Sequence, residues 1–178
     1  VATIPAVILG LIVTKLELDL YFSNALAIGI ASIVFGTLLY FADRKSQKLE
    51  RALPAHREFK QSDYMTYKNA FLIGASQIIA AVIPGASRSG VTLTSSFFLK
   101  TKKEYAARFV FLISIPITLM ASLNEIVLKQ SITLNTEFIF AFVTAFLSGL
   151  AAIYILLKLI NNNYLKWLCL YRVVFGTI

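Results

Sequence analysis

Apolar residues in this chain fall into long blocks, not into the one-sided stripes of soluble helices. Residues 25–42, 105–128 and 138–160 are almost unbroken apolar runs, and a helix needs about 20 such residues to cross a bilayer. They are expected to be transmembrane helices. Residues 1–14 form a shorter apolar run with Pro5 near its start; at roughly 21 Å as a helix it reads as the tail of a further span. Residues 164–178 begin another, with Lys166, Trp167, Tyr171 and Arg172 in its first half. Between the runs lie a polar turn marked by Lys15, Glu17 and Asp19, a hydrophilic segment over 43–68, a loop over 129–136 and a turn at Asn161 to Asn163. Tyr21, Phe22, Tyr40 and Phe41 stand at run ends, where aromatic rings suit the membrane interface. Gly29 and Gly36 permit close helix approach. Pro116 is expected to kink the span over 105–128.

One stretch does not follow the pattern. Residues 70–83 are apolar but reach only about 21 Å as a helix, and 91–100 only about 15 Å. Between them lies Pro84-Gly85-Ala86-Ser87-Arg88-Ser89-Gly90, with Thr92 just beyond. Basic residues cluster on both sides: Arg44, Lys45, Lys48, Arg51, Arg57, Lys60 and Lys68 before it, Lys100, Lys102 and Lys103 after it. Such clusters mark cytoplasmic segments, so the stretch enters and leaves on one face. It is predicted to be a re-entrant helical hairpin over 69–100 with the polar residues at its tip. Irregular backbone at membrane depth is tolerated only inside protein or beside a polar cavity. The tip is therefore expected in a cavity open to the outer face. Of the 17 basic residues, only Lys15 and Lys129 then lie outside, in keeping with the positive-inside rule. The expected fold is all-α: a single integral membrane domain, a polytopic transmembrane helix bundle, with 43–68 as a cytoplasmic loop in which Lys48 to Ala52 form a short surface helix ended by Pro54.

Composition supports this and excludes other classes. The 178 residues are 58% hydrophobic, with a mean hydropathy of +0.75, above the usual soluble range. The net charge of +8 sits mostly in the segments between runs, with no basic helix or aromatic RNA motif, so nucleic acid is not an expected partner. Cys169 is the only cysteine, which excludes a disulfide or a cysteine metal site within the chain. His56, the only histidine, sits among charges and reads as a solvated loop residue. Glu104 and Arg108 are spaced to pair on one helix face. Glu125, near a span end, reads as reaching interfacial water.

The tip residues share one property: they donate. Pro84 stops the incoming half-helix. Gly85 and Gly90 permit positive φ and let backbone N–H groups turn towards a ligand. Ser87 and Ser89 offer hydroxyls and suit the N-cap of the outgoing half-helix, whose positive end points at the same spot. Arg88 adds a permanent charge with a planar fork that matches two phosphate oxygens. Thr92 adds a hydroxyl in the first turn. Arg88, Ser87 and Ser89 are thus candidate catalytic residues, and Gly85, Ala86, Gly90 and Thr92 candidate phosphate-binding residues; the stretch holds no metal ligand. This chemistry serves a hydrolase or a membrane carrier for a lipid phosphate or other anion equally well. A structural turn, with Arg88 paired to an acid, is the plain alternative.

The string from Pro84 to Thr92 resembles the PGxSRSxxT signature of the BacA-type undecaprenyl-diphosphate phosphatases. Ile4-Pro5-Ala6-Val7 with Gly10, Met65 to Ala70, Gly74 to Gln77, Ala106 to Phe109 and Ser114-Ile115-Pro116 also resemble family features, in the family order. The resemblance covers most of the chain and is weakest after Leu128. It implies a multi-pass enzyme of the bacterial inner membrane that hydrolyses undecaprenyl diphosphate to undecaprenyl phosphate and phosphate. That reaction recycles the lipid carrier of cell-wall synthesis, and the family is associated with bacitracin resistance. The resemblance also implies that Ser87, Arg88, Ser89 and Thr92 line the phosphate pocket, that a divalent cation takes part, and that the fold is half of an inverted repeat.

The family's other half carries an acidic ExxxE-type motif, a serine-threonine-rich loop and a histidine, and none of these occurs here. Lys15 to Asp19 does not match, and His56 is wrongly placed. The chain is therefore expected to be the C-terminal two-thirds of such an enzyme, N-terminally truncated, with the cation's ligands and the proton-handling groups in the missing part. Alone it is expected to bind diphosphate weakly at best, without turnover. The expected partners are a polyprenyl diphosphate lipid and the bilayer, with a homodimer left open.

Overall fold

The computed structural model describes residues 2–3, 24–52, 65–129, 136–162 and 164–177, and among these there is no strand. The helices are α1 (Ala25–Ala52), α2 (Tyr67–Val82), α3 (Arg88–Phe98), α4 (Lys103–Lys129), α5 (Thr136–Asn161) and α6 (Leu165–Phe175). Among the described residues three stretches are long and apolar enough to cross a bilayer: Ala25–Arg51, Lys103–Leu123 and Thr136–Asn161. The chain is an all-helical, multi-pass membrane protein. The expected spans over 25–42, 105–128 and 138–160 all lie within these helices. At 11 residues, α6 is too short to cross alone. The expected span over 1–14, the polar turn after it, His56 and residues 130–135 lie outside the described residues, apart from Ala2 and Thr3.

The interruption at the tip is real. Thr66 caps α2, its Oγ1 accepting from the Asn69 N–H at 3.2 Å. The helix stops at Val82 because Ile83, just before Pro84, is extended at φ −106° and ψ 103°. After a short turn α3 starts at Arg88, capped by Ser87. It ends in a Schellman motif: Lys100 takes φ 63°, its N–H reaches the Phe97 carbonyl, and the Thr101 N–H reaches that of Ser96. α2 and α3 pack on each other as a helical hairpin. α4 continues through Pro116.

One expectation is corrected. The short helix expected over 48–52 is present, but residues 43–47, expected as loop, are helical too and join it to the preceding span as one helix to Ala52. No glycine or proline interrupts 37–53, and the fold uses the extra turns. Asp43, only 1% exposed, pairs with Lys103 at the start of α4 and also accepts from Gln47 Nε2 at 2.7 Å. Glu50 Oε1 accepts the Lys103 backbone N–H at 3.0 Å, satisfying one of the open donors at that helix start. The polar end of α1 thus clamps the start of α4.

At the centre α3 packs against α1, α2 and α4. Leu39, Ala42, Leu93, Phe97, Ala106, Ala107, Val110, Ile160, Leu165 and Cys169 form the main core. α6 lies close along α1: a Cβ on Gly29 would come within 2.6 Å of the Gly176 carbonyl oxygen. α5 packs beside α4, and no residue of its most apolar stretch is buried. Such a surface is stable in lipid and would not be in water. Glu104 and Arg108 pair on the surface of α4 at 2.7 Å.

Candidate functional site

The site grows from a tight turn. Pro84 and Gly85 occupy its two central positions, and the Ala86 N–H closes it on the Ile83 carbonyl at 3.2 Å. Gly85 has φ 87°, the conformation a type II turn requires at its third residue. A Cβ there would also meet the Ile28 carbonyl oxygen at 2.6 Å. Ser87 follows with φ 47° and ψ 107°, and its Oγ accepts from the Gly90 N–H at 3.3 Å. The N–H groups of Arg88 and Ser89 then open α3 with no acceptor within the helix.

Arg88, Ser89 and Thr92 share the wall of a cavity of about 240 Å³, completed by Gln77 of α2 and by Val110, Phe111, Ser114 and Thr118 of α4. Thr92 Oγ1 donates to the carbonyls of Arg88 and Ser89, at 2.9 and 3.1 Å, so its lone pairs are what remain for a ligand. Ser114 Oγ likewise donates within its own helix, to Phe111. Arg88 makes no ion pair among the described residues. The cavity therefore sets a cation with no ion pair among the described residues at a helix N-terminus, next to neutral polar groups and an apolar face.

The other tip residues are not among those that line the cavity. The Gly85 carbonyl accepts from Arg172 Nη2 at 2.9 Å. Gly90 packs so closely that a Cβ would stand 2.6 Å from Arg172 Nη1 and 3.3 Å from Ser87 Oγ. Ala86 is fully buried. Ser87, Gly85, Ala86 and Gly90 thus shape the turn, while Arg88, Ser89 and Thr92 face the cavity. Arg172 is held in turn by α1, where Ser32 Oγ donates to its carbonyl at 3.2 Å. Sequence reasoning gave neither Arg172 nor Gln77 a role. Each is a polar residue within an apolar run, a costly position and the one local signal available.

A larger apolar groove of about 420 Å³ runs between α1 and α6, lined by Gly36, Thr37, Tyr40, Trp167, Cys169 and Val173 among others. It carries none of the tip residues.

Curated relatives align along nearly the whole chain. An undecaprenyl-diphosphatase 1 of Pseudoalteromonas translucida is 36% identical over 98% of this chain and 62% of its own length. Undecaprenyl-diphosphatases of Aliivibrio salmonicida and Tropheryma whipplei are also 36% identical, over 99% and 98% of this chain and 62% and 61% of theirs. The chain thus spans a little over three-fifths of the length of these relatives. The family described as Bacitracin resistance protein BacA matches residues 1–178, and to that family this chain belongs.

Proposed function

We infer that the cavity binds the phosphoryl end of a polyprenyl diphosphate, undecaprenyl diphosphate by family, and that the whole protein hydrolyses it to the monophosphate and inorganic phosphate. The observation that carries this is Arg88, a cation without an acidic partner among the described residues, set at the start of α3 on the cavity wall. Over the whole reaction water supplies the new oxygen on the terminal phosphorus, and the proton it gives up ends on the phosphate products. The bond from that phosphorus to the bridging oxygen breaks, and the departing lipid monophosphate keeps the electron pair. Arg88 and the open N–H groups of α3 neutralise the phosphoryl oxygens as charge shifts, and Ser89 adds a hydrogen bond. Val110 and Phe111 offer an apolar surface beside them, as a phosphoryl group borne on a hydrocarbon chain needs.

Among the described residues the cavity wall carries no histidine, aspartate or glutamate, so these residues supply binding and charge stabilisation but no general base. Nor does it fit a divalent cation, which takes carboxylate and carbonyl oxygens. Among the described residues no cluster of three metal-ligating side chains occurs, and no step here runs through a metal.

Three features support a re-entrant hairpin in the bacterial inner membrane. α2 and α3, at 16 and 11 residues, are short for a crossing. The end of α3 leads directly to Lys103, which pairs with the polar end of α1. The cavity residues Val110 to Thr118 occupy the middle of the 27-residue α4. With its feet in basic segments, the hairpin tip opens towards the outer face.

Phosphate release from a short-chain prenyl diphosphate by the full-length protein tests the reading. Arg88→Ala is expected to lower kcat by about 10²- to 10³-fold, the usual cost of one such donor. Unchanged turnover in that variant overturns the assignment. Binding and transport without any phosphate release would indicate a carrier instead.

A further inference from the structure

Gln77 is 4% exposed, and its Nε2 has no hydrogen-bond partner among the described residues. Burying a carboxamide without a partner costs stability, so a fold seldom keeps one that does nothing. The neighbouring Ser76 satisfies itself on its own helix, Oγ donating to the Ile73 carbonyl at 2.7 Å; Gln77 does not. Gln77 lies on the wall of the 240 Å³ cavity, together with Arg88, Ser89 and Thr92 from α3 and Ser114 and Thr118 from α4.

We propose that the Gln77 carboxamide is a substrate-binding group that donates to a phosphoryl oxygen of the diphosphate held by Arg88. The proposal rests on the phosphatase reading of the cavity. A phosphoryl group presents oxygens in several directions, and Arg88 with the start of α3 engages those on one side. Gln77 comes from α2 and meets the group from another. Because the carboxamide is neutral, it completes the shell without a second buried charge. It also ties α2 to the ligand, so both arms of the hairpin grip the same anion.

The test uses the full-length protein in proteoliposomes, with a short-chain prenyl diphosphate as substrate and inorganic phosphate as competing ligand. Gln77→Met keeps the shape and removes the donor. It is expected to raise KM and the phosphate inhibition constant roughly tenfold or more, the weight of a hydrogen bond to a charged group. Its thermal midpoint should hold or rise, because an unsatisfied polar group has been removed. Gln77→Glu sets a carboxylate against the anion and is expected to lose more affinity than Gln77→Met. A Gln77→Met enzyme with KM within twofold of wild type overturns the proposal. So does a loss of activity that only follows a fall in thermal midpoint, the mark of a structural residue. Arg88→Ala separates the two levels. Wild-type turnover in that variant removes the phosphatase reading and this proposal with it; loss of turnover there, with unchanged KM in Gln77→Met, removes the Gln77 assignment alone.

Discussion

Ser87 holds φ 47° and ψ 107°, a combination that only its surroundings can impose on a residue with a Cβ. Such conformations cost about 1–3 kcal/mol and gather at functional sites. Here the imposing groups are identifiable. Arg172 holds the Gly85 carbonyl on one side of Ser87, and its other terminal nitrogen fills the space beside Gly90. A planar guanidinium can do both at once, and a lysine ammonium cannot. Gly90→Ala should therefore impair phosphate release by displacing Arg172, and it should cost less in an Arg172→Ala background. A double-mutant cycle on kcat/KM is expected to give a coupling of about 0.5–3 kcal/mol, as for residues in contact. Strictly additive effects would show that the contact does not support the turn.

At the scale of elements, the main departure from expectation is the polar end of α1. Residues 43–47, with Asp43, Arg44 and Lys45, read as solvated loop between the span and a short surface helix, yet the whole segment to Ala52 continues the span. It is helical because Asp43 and Glu50 have partners on another helix. The pair is deeply buried, with side chains 5% and 1% exposed for Lys103 and Asp43. Lys103→Met leaves the Asp43 carboxylate with Gln47 as its remaining hydrogen-bond partner. That should destabilise the protein by about 3–5 kcal/mol, the usual cost of breaking a buried pair. Adding Asp43→Leu should recover most of the loss, since a well-packed apolar pair often replaces a buried ion pair without penalty. Unfolding midpoints in detergent for the two single variants and the double variant decide this.

At the scale of the whole molecule, the central question is where the tip lies in the bilayer. Ser87 is exposed at the tip, whereas Cys169 is buried in the core. With Cys169 replaced by alanine and other cysteines removed, Ser87→Cys should react with a membrane-impermeant maleimide from the outer face. Labelling only from the cytoplasmic face would reverse the proposed orientation. Arg88 also makes no ion pair among the described residues, which suits an anion site. A cation paired permanently with a carboxylate would present little net charge to a phosphate, and a free one at a helix N-terminus presents all of it.

The alternation of apolar and polar stretches determined by itself that the chain is helical and crosses a membrane, because span length and hydrogen bonding within a helix are local matters. The break around Pro84 and Gly85 was equally local: a proline without an N–H followed at once by a glycine free to take positive φ favours a turn, whereas Pro116 alone leaves α4 continuous. The donor-rich string that follows was legible for the same reason. Only the tertiary structure decided which of those donors face a cavity and which face the packing behind it. It alone brought Arg172 to Gly85, 87 residues away, and Lys103 to Asp43, 60 residues away. It also brought Gln77 and Arg88 into the wall of one cavity. These pairings depend on how helices far apart in the chain come to rest against one another, and neither residue type nor spacing along the chain encodes that geometry.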